Sequence, residues 1–126
     1  SPSPASSSVP ASTQTIIDNL RSEVDTLRKA VDPNLTNRLN VIEGFLEATG
    51  GQSTVRNQGL YNEVKNEASK MGFDDQKIEE LFRDATSGSY TKESLTETRK
   101  NSEAVKRRLS EAEKKLKDTQ SQAEMA

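Results

Sequence analysis

The sequence predicts an all-α protein, and three observations carry that expectation. Apolar residues recur at steps of three and four from Ile17 onward, apolar content is 30% with only 4% aromatic, and charged residues of both signs reach 30%. An ordinary globular domain holds about 45–50% apolar residues counting glycine, so the core must be small. Mixed charges suit the solvated faces of helices. The expected chain has four parts: a disordered arm, a zipper-like helix, a short helical bundle and a long charged C-terminal helix.

Residues 1–13 contain only Ser, Pro, Ala, Val and Thr. Such a segment buries too little apolar surface to offset its ordering entropy and reads as a flexible linker. A linker running straight into a helix suggests a fragment of a longer protein.

Residues 14–32 form the expected oligomerisation helix, with Thr15 and Asp18 as a capping-box-like start. Ile17, Leu20, Val24, Leu27 and Val31 make one apolar stripe, β-branched at each a position and leucine at each d. That choice favours two parallel helices. With Ile17 as a, Glu23 falls at g and Arg28 at the e position five residues on, where a parallel partner would place the opposite charge. Five apolar positions are marginal alone, so neighbouring helices must support the interface.

Residues 33–88 are expected to be compact. Asp32-Pro33 is a joint, because the residue before proline is pushed out of the helical region while proline suits a first turn. Leu35, Leu39, Ile42 and Leu46, widened by Val41 and Phe45, then give the most apolar helix, which Gly50-Gly51 ends. Ser53 can cap a third helix whose inner face is Leu60, Tyr61, Val64, Ala68 and Met71. Gly72 has the place of a left-handed C-terminal cap, with Phe73 folding back on the last turn. Asp74 or Asp75 caps a fourth helix with Ile78, Leu81, Phe82 and Ala85 inward, and the run from Thr86 to Ser89 breaks it.

The turn Met71-Gly72-Phe73 resembles the turn after the first helix of ubiquitin-associated domains, three-helix modules that bind ubiquitin partly through that turn. The likeness covers only these residues. The third short apolar helix of that family is missing, because Thr96 to Asn101 is wholly polar, and an ordinary glycine cap accounts for the same residues.

Residues 89–126 read as a long charged helix with a frayed tail, helical from about Thr91 to Gln120. Leu95, Thr98, Ser102, Val105, Leu109, Ala112, Leu116 and Thr119 form its seam. Half of these are polar or small, so the seam is weak by itself, and the helix is expected to project, fray or meet a partner.

Chemistry is sparse. The chain has no cysteine and no histidine, which removes disulfides, thiolate nucleophiles and the commonest metal ligand and general base. Asp74/Asp75 and Glu79/Glu80 are neighbours in sequence without the convergence that acid–base catalysis needs. No catalytic residue, cofactor or metal is expected, and the chain reads as a non-enzyme.

With 18 basic and 20 acidic residues the formal charge is -2, and nothing global attracts nucleic acid. Arg107, Arg108, Lys114 and Lys115 are the candidate anion contacts of a nucleic-acid-binding alternative. Glu111, Glu113 and Asp118 are interleaved with them, and no aromatic residue follows to stack a base. No stretch is apolar enough to insert in a membrane. Absence of cysteine and of a leader fits an intracellular setting but leaves the compartment open.

The expected function is therefore assembly: a coiled-coil-type homo-oligomerisation and protein-interaction module, most simply a dimer, acting as a scaffold. Arm, coiled coil and small helical domain in that order is the organisation of viral polymerase-cofactor phosphoproteins, of cytoskeletal or pore scaffolds and of bacterial surface stalks. No single family follows from it. The competing expectation is a monomeric helical adaptor that takes a peptide in a groove beside Leu60, Tyr61, Met71 and Phe73.

Overall fold

The computed structural model describes residues 9–125, so most of the expected linker lies outside the described residues. Within them the chain is all-helical. It has five helices: α1 (Ala11–Ala30), α2 (Leu35–Thr49), α3 (Gln58–Lys70), α4 (Asp75–Thr86) and α5 (Lys92–Met125). They divide into two compact units, residues 33–100 and residues 9–32 with 101–125.

In the first unit α2, α3, α4 and the opening turns of α5 enclose one core. Leu39, Val41, Ile42 and Phe45 of α2 meet Val64 and Ala68 of α3, Ile78, Leu81 and Ala85 of α4, and Leu95 of α5. Each fully buried aliphatic or Phe side chain contributes about 1.5–3 kcal/mol of transfer free energy, and α2 supplies more of them than any other helix here. Three rings close one side: Phe82 stands edge-on to Phe45 and Tyr61 at 5.3 and 5.5 Å between centroids, and Phe45 and Tyr61 are 5.5 Å apart. Helices α2 and α3 touch at Gly44, where a Cβ would lie 2.6 Å from Val64 Cγ2. Only glycine permits that approach.

Local chemistry sets the helix ends. α2 ends at Gly50 in the left-handed region (φ 67°), its N–H donating to Leu46 O at 2.7 Å. Thr49 is fully buried, yet its hydroxyl donates to Phe45 O at 2.7 Å and accepts from Gly51 N–H at 3.1 Å. α3 does not begin at Ser53. The N–H groups of Arg56 and Asn57 both return to Ala48 O, at 2.9 and 3.0 Å, and hold the intervening chain as a loop. Asn57 is the cap instead, accepting from Leu60 N–H.

The end of α3 follows the sequence expectation. Gly72 has φ 96° and Phe73 N–H donates to Ala68 O at 3.1 Å, which packs the Phe73 ring on the core. Of the two candidate caps for α4, Asp74 takes the role by accepting from Lys77 N–H at 2.8 Å. α5 opens with a reciprocal pair in which Thr91 Oγ1 accepts from Ser94 N–H and Ser94 Oγ from Thr91 N–H.

Two features of α5 differ from expectation. Leu95 is fully buried, so its first turns belong to the core. The helix also continues without a break to Met125, 34 residues or about 50 Å at 1.5 Å per residue.

The second unit is a pair of helices. α1 starts at Ala11, four residues before Thr15, with Pro10 O accepting from Gln14 N–H. Thr15 therefore lies inside the helix, where its hydroxyl donates back to Ala11 O and cannot cap.

Candidate interaction surface

The α1 stripe is covered by the chain's own α5. Ile17, Leu20 and Val24 are buried and Leu27 and Val31 half-buried. On α5 the seam Ser102, Val105, Leu109, Ala112, Leu116 and Thr119 is buried or half-buried throughout, and Ala123 extends it. Arg28 Nη2 donates to Glu113 Oε2 at 3.0 Å and joins the two helices.

The helices run antiparallel. Arg28 follows a d position of its stripe and Glu113 follows Ala112 in the equivalent place, so both stand on e flanks. Like flanks face each other only when paired helices run in opposite directions. Burial of Ala123 requires the same direction: with Arg28 level with Glu113, an antiparallel α1 brings its Asp18 region beside Ala123. A parallel α1 would already have ended at Ala30.

The two flanks of α5 differ, while on α1 both are exposed, Arg21 and Arg28 on the e side included. On the e side of α5, Lys106, Glu113 and Gln120 are half-buried; on its g side, Arg108, Lys115 and Gln122 are exposed. The g side of α1 holds Ile16, 49% exposed, with Glu23 and Ala30, also exposed. Glu23 and Arg28, the pair expected to meet across two chains, thus stand on opposite flanks, and Arg28 is bonded within its own chain.

The four residues of the expected peptide groove are divided between two clefts and the core. Leu60 and Met71 line a cleft of about 260 Å³ with Val41, Val64, Asn40, Glu63 and Glu67. Tyr61 lines a separate one of about 520 Å³ with Phe82, Ile78, Lys65, Asp75 and Glu79, where Lys65 Nζ lies 5.4 Å from the Tyr61 ring centre. Phe73 packs on the core. Asn40 also accepts from Arg99 Nη2 at 3.0 Å, while Arg99 Nη1 donates to Glu43 at 2.8 Å. The candidate anion contacts Arg107, Arg108, Lys114 and Lys115 are all exposed along α5.

Sequence reasoning missed Glu113 as the partner of Arg28 and missed Val41 and Asn40 as cleft residues. The first was legible: the α5 seam repeats the three–four spacing of the α1 stripe, and Glu113 holds the flank that matches Arg28. Among the described residues no group of three or more His, Cys, Asp or Glu side chains could hold a metal ion, and no helix is long and apolar enough to cross a membrane. Comparison with protein-family models, curated proteins and solved structures gives no match for this chain.

Proposed function

We propose that the chain is a non-enzymatic assembly module that associates with its own copies through the two-helix unit. The thinness of the hairpin seam carries this reading. Ile17, Leu20, Val24, Leu27 and Val31 lie against a stripe that includes the small or polar Ala112, Thr119 and Ala123; Leu27 and Val31 stay half-exposed at one end of α1, and Ile16 is exposed at the other. Two helices have no third layer to cover such an edge, and helical bundles commonly meet that need with four. Static light scattering across a dilution series tests the reading: mass should rise above that of one chain with concentration, and a constant single-chain mass would end it.

A second reading rests on the α2–α3 cleft. Met71 is 37% exposed despite its size and stands with Leu60, Val41 and Val64 between Glu63 and Glu67. A monomeric adaptor would use that cleft for a peptide with an apolar anchor. It would keep its mass on dilution and lose binding when Met71 is replaced by lysine.

A further inference from the structure

We infer that two copies associate as closed hairpins, through the exposed g-side edge formed by Ile16, Glu23 and Ala30 of α1 and by Arg108 and Lys115 of α5. The inference rests on the self-association proposed above and names its surface and geometry. It replaces the parallel two-helix zipper, which would need α1 to leave α5, with a four-helix arrangement in which the Arg28–Glu113 pair stays intact within each chain.

Three observations select this edge. First, the charges of the opposite flank are paired within the chain: Arg28 bonds Glu113, and on α5 Lys106, Glu113 and Gln120 are half-buried there, although Arg21 and Arg28 of α1 are exposed. Second, Ile16 is the large apolar side chain that α1 leaves exposed, and Ala30 beside Val31 leaves room for close approach at the other end of the same flank. Third, the edge complements itself in charge. Glu23 stands on α1, Arg108 and Lys115 stand on α5, and all three are exposed. A two-fold axis presents the same patch from both copies, and a patch that carries both signs side by side lets Glu23 of each chain meet a basic residue of the other.

A covalent lock separates closed from open assembly. The chain has no cysteine, so Arg28→Cys with Glu113→Cys gives two unique thiols where the ion pair now stands. A short bis-maleimide then ties α1 to α5, and denaturing gels select the intramolecular product. The control is the same double variant capped with N-ethylmaleimide. Locked and capped chains should reach twice the single-chain mass at similar concentrations. In either form Ile16→Glu should raise the dissociation constant at least tenfold with far-UV ellipticity unchanged.

If the capped chain dimerises while the locked chain stays single, assembly requires an open hairpin; the inference is overturned and self-association survives. Should Ile16→Glu leave the locked dimer untouched, the edge is wrong. If neither form exceeds one chain at any concentration, the self-association reading fails and this geometry fails with it.

Discussion

Gly44 shows how one absent methyl sets a helix contact. An alanine there gains helix propensity of about 1 kcal/mol, but its Cβ would lie 2.6 Å from Val64 Cγ2, and overpacking of a tight core costs about 1–3 kcal/mol. Gly44→Ala should therefore be neutral to destabilising by urea unfolding, and much less harmful when Val64 is already alanine. Leu95→Ala removes a fully buried side chain and should cost about 2–5 kcal/mol, measurable as a lower urea midpoint at unchanged slope. Asp74→Ala deletes the acceptor of Lys77 N–H and should cost about 0.5–2 kcal/mol. Caps of this kind were legible where one side chain makes the bond, as with Asp74, or where glycine takes a positive φ, as with Gly72. Asn57 was not, because the loop before it is closed by main-chain N–H groups on Ala48 O, and those bonds leave no mark on residue type.

Among the helices, α5 divides along its length. Its first turns carry Leu95 and Arg99 into the core unit, while the remainder forms the α1 hairpin. Truncation after Lys100 should leave α2–α4 melting cooperatively with little change in midpoint. Truncation before Lys92 should lower that midpoint by uncovering the core where Leu95 sat. Differential scanning calorimetry of the two truncations would decide this, and equal midpoints would show that Leu95 adds nothing. The three–four spacing from Leu95 to Thr119 located every seam position of α5 correctly. What covers the seam was not legible from periodicity alone, because spacing names a buried face without naming its neighbour. The deciding signal was charge placement: Arg28 and Glu113 share the same flank, which fits an antiparallel pair, whereas Glu23 and Arg28 lie on different flanks and fit a parallel one.

At the scale of the whole chain, the all-helical fold class followed from composition and spacing. The function proposed for the hairpin rests on surfaces that spacing cannot rank. Because that assembly includes exposed ion pairs, raising salt from low to physiological strength and beyond should weaken it modestly, since such pairs contribute about 0.2–1 kcal/mol and are screened. Sedimentation velocity at several salt concentrations would detect the shift; an association strengthened by salt would point to an apolar edge without charge pairing. The three-ring cluster of Phe45, Tyr61 and Phe82 has an optical consequence. With Phe73 and Tyr90 it accounts for all three phenylalanines and both tyrosines of a chain without tryptophan, and all five rings lie within residues 33–100. Near-ultraviolet dichroism and tyrosine emission therefore watch one unit alone, whereas far-ultraviolet ellipticity sums both. A mismatch between the two melting curves would report the hairpin's own stability directly, with no label attached.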